Sequence, residues 1–209
     1  MHKFLLWDHD GVLVNTEPLY FAATRECVKL LGVDLDQAAY LRLMAVGRTS
    51  WELARERGIP ETVISETRKE RDRRYQQYLL TRDIEIDGVI DVLTILKSRY
   101  RMAIVTTSKR TDFDLIHRTR GIRDFFEFVL TVEDCAKAKP DPDPYLRALK
   151  KFGADAGEAL VIEDSSRGLS SAIAAGIKCI IIHNDFTSTQ DFTGAQCVLR
   201  SIRELPELL

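Results

Sequence analysis

The strongest constraint on the fold is a series of five short apolar runs, rich in β-branched residues, that alternate with segments of helical period. The runs comprise Phe4–Trp7 and residues 102–105, 128–130, 159–162 and 179–182. Runs this short that are apolar on both faces are typical of strands that helices cover on both sides. The pattern predicts an α/β protein whose core is a parallel sheet flanked by helices.

Helices are predicted between the later runs, and three of them end at a glycine. They cover Val89–Lys97 and residues 112–120, 142–152 and 166–175. Glycine is common just past the last helical turn because it adopts the left-handed backbone conformation at little cost. Each strand and the helix after it form a unit short enough for a right-handed crossover. A last strand is predicted at residues 196–199.

A long insertion separates the first run from the second, because the chain between them is far longer than one crossover needs. Apolar residues recur at helical spacing from Leu19 to Leu30. Further helical stretches follow at residues 36–46, 50–57 and 60–80. We therefore expect residues 16–85 to form an all-helical cap domain, inserted into a core domain made of residues 1–15 and 86–209.

The composition of the chain argues against nucleic acids and membranes as binding partners. With 30 Lys and Arg against 32 Asp and Glu, the formal net charge of the 209-residue chain is −2, which gives no broad attraction to nucleic acid or to an anionic membrane. The four cysteines lie far apart, as in proteins of a reducing compartment. Asp8 and Asp10 interrupt the first apolar run before a signal peptide or a membrane span could form. We expect a cytoplasmic protein that is a monomer or a weak homodimer.

The first run ends in an acid pair, Asp8 and Asp10, and Gly11 permits a sharp exit from the strand. In an extended segment, residues i and i+2 point to the same side, so both carboxylates could face one reacting centre. Buried carboxylates are costly unless they bind a cation, share a proton or accept hydrogen bonds. Alone, the pair fits an Asx-turn or a helix cap equally well. A calcium loop does not fit, because no glutamate occupies the twelfth position of a loop that starts at Asp8.

Polar side chains also follow the later strands. They are Thr106, Thr107 and Ser108 after one strand, Lys139 in a proline-stiffened loop, and Glu163 and Asp164 after another strand. Taken singly, each has an ordinary structural explanation as a helix cap or a solvated charge. Ligands of open parallel sheets bind beyond the carboxyl ends of the strands, where all of these residues are expected. Together they supply two acid pairs, a hydroxyl and a lysine to one edge of the sheet, which indicates a functional site.

In order and spacing the sequence resembles the haloacid dehalogenase superfamily, specifically its phosphatase-like members with a small helical cap after the first motif. Residues 8–18 look like the first motif, Thr106 the second, Lys139-Pro140 the third and Glu163-Asp164-Ser165 the fourth. The resemblance covers essentially the whole chain. It implies a Rossmann-like sheet core with an inserted helical cap, in agreement with the pattern of apolar runs.

The activity that the resemblance implies is a Mg²⁺-dependent phosphatase acting on a small phosphorylated metabolite. Asp8 would be the nucleophile that forms an aspartyl-phosphate, and Asp10 would protonate the leaving oxygen and then activate water. The phosphoryl oxygens would be held by Thr106, Thr107 and Lys139. The metal ligands would be Asp8, the backbone carbonyl of Asp10, Asp164 and, directly or through water, Glu163.

Other activities remain open at this stage. A sugar-phosphate mutase of the β-phosphoglucomutase type uses the same core, but such mutases usually carry a histidine in the first cap helix, where this chain has Tyr20. We therefore favour hydrolysis. True dehalogenases lack the acid at Asp10, non-enzymatic phospho-acceptor domains lack the long helical insertion, and neither nucleotide-binding glycine motif is present. The sequence departs from the family pattern at Asn15 and at His9, a position more often apolar. We interpret His9 as a packing residue or as a support for the site residues, rather than as a ligand.

The cap is expected to select the substrate, because the core builds only the phosphoryl centre. Gly47-Arg48-Thr49 resembles the substrate-facing cap loop of these enzymes. Arg48 is therefore the candidate contact for a second anionic or hydroxyl-rich group, although a surface arginine before a helix needs no function. Residues 66–74 alternate in charge at helical spacing, which is typical of a solvated helix face rather than a nucleic-acid site.

Overall fold

A parallel sheet of six strands forms the centre of the protein, as the apolar runs predict. The computed structural model describes residues 2–209. The strands are β1 Phe4–Trp7, β2 Arg101–Val105, β3 Phe128–Leu130, β4 Ala159–Glu163, β5 Lys178–Ile182 and β6 Cys197–Leu199. Their order across the sheet is β3-β2-β1-β4-β5-β6, and every neighbouring pair is parallel. The predicted α/β fold class is confirmed.

Helices connect successive strands from β1 to β5, whereas a loop leads from β5 to β6. Within residues 2–209 the α-helices are α1 Glu17–Leu30, α2 Gln37–Ala45, α3 Trp51–Glu56, α4 Glu61–Thr81, α5 Val89–Lys97, α6 Arg110–His117, α7 Asp143–Phe152, α8 Ser166–Ala174 and α9 Leu205–Leu208. The predicted end of α7 is correct, since Gly153 follows it in the left-handed conformation with φ of 65°. None of these helices combines the length and the apolar character that crossing a membrane requires.

The central strands are buried because helices cover the sheet. Leu5, Leu6 and Trp7 of β1 have no exposed surface. On one face, Leu6 belongs to a core cluster that includes Tyr145 of α7 and Ala172 of α8. Burial of this kind contributes roughly 1.5 to 3 kcal/mol for each large apolar side chain. The sheet is therefore a rigid base for residues that follow its strands.

The chain divides into two compact units, of which one contains the sheet and the other comprises residues 16–84. The second unit is built from α1 to α4, and α1 packs along α4. Apolar residues of both helices are buried, among them Cys27 of α1 and Ile64 of α4. The unit therefore has a small hydrophobic core of its own.

The charged run at residues 66–74 lies on α4, and several of its charges pair with one another at exposed positions. Arg71 is an exception to the predicted solvated face, because it is buried. Its Nε donates to Asp72 Oδ1 at 2.9 Å, and its guanidinium carbon lies 4.3 Å from the centroid of the Tyr20 ring. An ion pair and a cation–π contact together offset the cost of burying this charge.

Candidate active site

Three neighbouring strands bring charged and polar side chains to one edge of the sheet. Asp8 directly follows β1, Thr106 directly follows β2, and Glu163 is the last residue of β4. Strand β1 pairs with both β2 and β4. Because all three strands are parallel, their carboxyl ends meet at the same edge, where Asp8 lies in the middle.

Lys139 joins the acids at this edge. Its Nζ donates to Asp8 Oδ1 at 2.6 Å, to Glu163 Oε1 at 2.8 Å and to the carbonyl oxygen of Val105 at 2.8 Å. These contacts match the three donors of a lysine ammonium group. The residue is only 3% exposed. Lys139 is therefore a buried, paired charge and not a solvated surface lysine.

The pKa values in this cluster show which charge is least compensated. Burial lowers the pKa of Lys139, but Asp8 and Glu163 raise it by more, so the pKa lies above its ordinary value. Burial raises the pKa of Glu163, but Lys139 and the hydrogen bonds from Ser165 and Tyr145 together lower it by more. Burial and the charge of Glu163 raise the pKa of Asp8 to about 7, against the attraction of Lys139. Of these two carboxylates, Asp8 thus has more to gain from a nearby cation.

Both carboxylate oxygens of Glu163 already accept hydrogen bonds from the protein. Oε1 accepts from Lys139 and, at 2.9 Å, from the hydroxyl of Tyr145. Oε2 accepts from the backbone N–H groups of Asp164 and Ser165 and from the Ser165 hydroxyl, at 3.1, 3.2 and 2.9 Å. Glu163 therefore anchors Lys139, and it could bind a metal directly only by giving up some of these bonds.

Helix α8 begins immediately after this carboxylate and passes very close to it. The Ser165 hydroxyl caps the helix by accepting from the Gly168 N–H at 3.1 Å. A Cβ atom at Gly168 would lie 1.6 Å from Glu163 Oε1, which no side chain could accommodate without displacing that carboxylate. Gly168 is therefore required for the geometry of the site.

Asp164 is held beside Asp8 by contacts from two loops. Gly11 has φ of 86°, and a Cβ atom there would lie 2.0 Å from Asp164 Oδ2. The Thr187 hydroxyl donates to the backbone oxygen of Asp164 at 2.7 Å, and Asn184 Nδ2 donates to the Gly11 carbonyl at 3.2 Å. Sequence reasoning anticipated the turn at Gly11. It missed Thr187 and Asn184, because no motif marks the loop after β5.

The acidic cluster is suited to a divalent cation. Carboxylate oxygens of Asp8, Glu163 and Asp164 all lie within 4.8 Å of one another, and all three residues are buried. Carboxylate oxygens are the ligands that Mg²⁺ and similar hard cations prefer. The incomplete compensation of Asp8 makes a cation favourable at this position. The residues present therefore fit a metal ion.

Asp10 occupies a different environment, formed by hydroxyl groups. Its Oδ2 accepts from Thr106 Oγ1 at 3.2 Å and from Ser108 Oγ at 2.5 Å. Thr106 Oγ1 in turn accepts from the Ser108 N–H at 3.0 Å. Thr107 is half-buried, and the hydrogen bonds to Asp10 come from its two neighbours instead. Sequence reasoning placed Ser108 among the hydroxyl groups at this edge but gave it no role, although its i+2 spacing from Thr106 was a usable signal.

Arg48 lies in the helical unit, where its charge is already paired. Its Nε donates to Glu52 and its Nη2 donates to Glu56 at 2.9 Å. The Arg48 side chain is 47% exposed. Ion pairs this exposed contribute little to stability, so the guanidinium could exchange them for another anion.

A sequence model of the haloacid dehalogenase-like hydrolases matches residues 5–182. The chain therefore belongs to this family of enzymes, which confirms the resemblance noted in the sequence. Its relatives include the protein CbbY of Rhodobacter capsulatus, with 31% identity over 92% of this chain and 90% of CbbY. The phosphorylated carbohydrates phosphatase of Thermotoga maritima is 27% identical over 86% of this chain and 85% of its own length.

A solved relative has the same fold. The crystal structure of a CbbY variant from Rhodobacter sphaeroides, in complex with xylulose-1,5-bisphosphate, has a TM-score of 0.81 to this chain. It is 27% identical, and the match covers 98% of this chain and 96% of that one. The similarity therefore extends through both the sheet and the helical insertion.

We expect Gly168→Ala to destabilise the protein and to lower its activity. Alanine normally stabilises a helix interior by about 1 kcal/mol relative to glycine. Here its Cβ would displace the Glu163 carboxylate and weaken the anchoring of Lys139, so we expect a net loss of about 2 kcal/mol in the free energy of unfolding. Urea denaturation measures the change. Gly157→Ala is the control, because a Cβ there would have no non-neighbouring atom of residues 2–209 within 4 Å. Equal stability of the two variants would contradict the prediction.

We expect the stability of the metal-free protein to depend on the charge of Asp8. The pKa of Asp8 is about 7 in the folded protein and about 3.9 in an unfolded chain. The folded state therefore binds the proton more tightly, and stability falls as the pH rises from about 4 to about 7. Asp8→Asn removes this loss. With EDTA present, the free energy of unfolding of the variant minus that of wild type should increase by on the order of 2 kcal/mol from about pH 5 to pH 8. A difference that does not change with pH would refute the argument.

Proposed function

We propose that the protein is a Mg²⁺-dependent phosphatase that hydrolyses the phosphate ester of a small carbohydrate through an aspartyl-phosphate on Asp8. The observation that carries the proposal is the contrast between Asp8, bonded to the Lys139 ammonium, and Asp10, bonded to hydroxyl groups. Two carboxylates in different environments can take different roles in one reaction. The names of the Thermotoga phosphatase and of the CbbY complex support this substrate class.

In the first step, Asp8 attacks phosphorus while the ester bond to the leaving oxygen breaks. Because Lys139 binds Asp8 Oδ1, we assign the attack to Oδ2. The electron pair of the broken bond stays on the leaving oxygen, and a proton from the Asp10 carboxyl group neutralises it. The positive charge of the Lys139 ammonium group stabilises the negative charge that develops on the phosphoryl oxygens.

In the second step, water attacks the phosphorus of the aspartyl-phosphate and gives up a proton to the Asp10 carboxylate. The bond between phosphorus and Asp8 breaks, inorganic phosphate leaves, and the Asp8 carboxylate is restored. Asp10 is protonated again and ready for the next ester. The hydroxyls of Thr106 and Ser108 hold the Asp10 side chain in place for both proton transfers.

The remaining contacts of the site are assigned from the same cluster. The proposed ligands of Mg²⁺ are Asp8, Asp164, the backbone carbonyl of Asp10 and, directly or through water, Glu163. The proposed contacts of the phosphoryl oxygens are Thr106, Thr107 and Lys139. When bound, the ion supplies positive charge that favours the ionised form of Asp8 and offsets repulsion of the phosphoryl group. Because Glu163 is fully hydrogen-bonded, we favour its contribution through water.

We further propose that residues 16–85 act as a cap domain that selects the leaving group. The core acids and Lys139 act on the phosphoryl group alone, so discrimination between esters has to come from other residues. Arg48 is the proposed contact for a second anionic group of the substrate. Its ion pairs with Glu52 and Glu56 lie at the surface, so a ligand anion could replace them at low cost.

The proposed function is tested with phosphorylated sugars, phosphoglycolate and nucleotides as substrates in the presence of Mg²⁺. Inorganic phosphate and isomerised sugar phosphate are both measured. We expect release of phosphate that EDTA abolishes and Mg²⁺ restores. Isomerised sugar phosphate without release of phosphate would instead identify a mutase, and no reaction with any of these esters would refute a catalytic role of this kind.

Asp8→Asn should abolish turnover while the fold remains intact, because an amide cannot form the covalent intermediate. Circular dichroism verifies the fold, and phosphate release measures activity. Asp114→Asn is the matched control, since Asp114 is an exposed acid on α6 of the same unit. Activity of the Asp8→Asn variant within roughly tenfold of wild type would exclude the covalent mechanism.

Arg48→Ala should weaken binding of substrates that carry a second anionic group. Loss of one charge-assisted contact should raise KM for a sugar bisphosphate roughly tenfold. KM for the matching monophosphate should change less than about twofold, because that substrate offers Arg48 no anion. Steady-state kinetics with both esters make the comparison, and Arg57→Ala, an exposed arginine of the same unit, is the control. Equal changes in KM for both esters would show that Arg48 does not bind the second anionic group of the substrate.

A further inference from the structure

His9, which separates Asp8 and Asp10 in the sequence, is fully buried in the sheet unit. Its ring lies 5.0 Å, centroid to centroid, from the ring of Phe113. An apolar side chain would fill this space without leaving a polar group to satisfy. A buried imidazole costs free energy unless its nitrogens have partners, so the contacts of His9 need an explanation.

One nitrogen of His9 has a partner on α6. His9 Nε2 lies 2.8 Å from Nε2 of His117, the last residue of that helix. Only one of the two nitrogens can donate in a neutral pair. Burial and the neighbouring His9 lower the pKa of His117 to about 3, so His117 is neutral at physiological pH. The remaining question is which of the two rings carries the shared hydrogen.

The surroundings of the second nitrogen of His9 decide which ring carries the shared hydrogen. His9 Nδ1 makes no hydrogen bond, but it lies 3.3 Å from Asp10 Oδ2, the oxygen that accepts from Thr106 and Ser108. A lone pair on Nδ1 would repel the carboxylate, whereas an N–H at Nδ1 attracts it. The hydrogen of His9 therefore belongs on Nδ1, and Nε2 must accept. His117 then donates from its own Nε2.

We propose that His117 and His9 are positioning residues that fix the carboxylate of Asp10 through a relay of oriented N–H groups. His117 Nε2–H donates to His9 Nε2, which sets the tautomer of His9 and directs its Nδ1–H to Asp10 Oδ2. The hydroxyls of Thr106 and Ser108 donate hydrogen bonds to this oxygen, and the Nδ1–H of His9 attracts it from 3.3 Å without the geometry of a hydrogen bond. Because these contacts to Oδ2 hold the side chain in place, Oδ1 carries the proton that Asp10 donates to the leaving group and accepts from water.

This relay rests on the proposed function only where it assigns a proton to Asp10; the tautomers follow from geometry. Nitrogen-15 NMR of the labelled full-length protein tests them without any substrate. The chain has four histidines, so single substitutions assign every ring. We expect hydrogen on Nδ1 of His9 and on Nε2 of His117. Hydrogen on Nε2 of His9 with none on Nδ1 would overturn the relay even in a fully active enzyme.

Two variants of His117 test the effect on catalysis. The amide nitrogen of glutamine reaches about as far as Nε2 of histidine, so His117→Gln retains a donor, whereas His117→Leu fills the space without one. We expect His117→Leu to lower kcat roughly tenfold to a hundredfold with KM within about twofold of wild type. His117→Gln should recover most of kcat.

Urea denaturation of both variants separates this effect from a loss of stability. If His117→Leu does not fold, His117→Gln is compared with His117→Met, a flexible side chain of similar length without a donor. Equal kcat for the donor and non-donor variants would overturn the relay. If both His117 variants and Asp8→Asn retain activity, the proposed mechanism itself fails. The relay alone fails if Asp8→Asn is inactive but the His117 variants are unaffected.

Discussion

The buried ammonium group of Lys139 is the interaction on which the site depends. It bonds Asp8 of one strand end and Glu163 of the neighbouring one, at a position almost closed to solvent. Removing one partner of such a buried pair typically costs about 3 to 5 kcal/mol, because an uncompensated charge is left behind. Glu163 is anchored in turn by Tyr145 and by the start of α8. The lysine therefore couples the packing of the core to the geometry of the acids.

Three carboxylates of the first and fourth motifs, Asp8, Asp10 and Glu163, have different roles at the site. Glu163 compensates Lys139, Asp8 has an incompletely compensated charge, and Asp10 is held by hydroxyl donors. Identical chemical groups thus acquire different properties because each has different neighbours. Because of these differences, one carboxylate can be considered as a nucleophile and another as an acid and base at the same site.

The sheet could be predicted from the sequence, because each apolar run is a strand. The convergence of the motif residues at one edge could be predicted too, because parallel strands end at a common edge. The supporting contacts could not. Tyr145 and Gly168 reach Glu163 through helix packing, and His117 reaches His9 from 108 positions away. Such contacts leave no local pattern in the chain. Arg71 shows the opposite error, since helical charge alternation suggested a solvated residue that tertiary contacts bury.

The position of β1 in the middle of the sheet has a consequence during synthesis. Its hydrogen-bonding partners are Arg101–Val105 and Ala159–Glu163, which leave the ribosome long after Phe4–Trp7. At translation rates of about 5 to 20 residues per second, the delay is on the order of ten seconds. For that time four consecutive apolar residues have no strand beside them. The yield of folded protein should therefore depend on how well chaperones shield this nascent segment until β4 has been made.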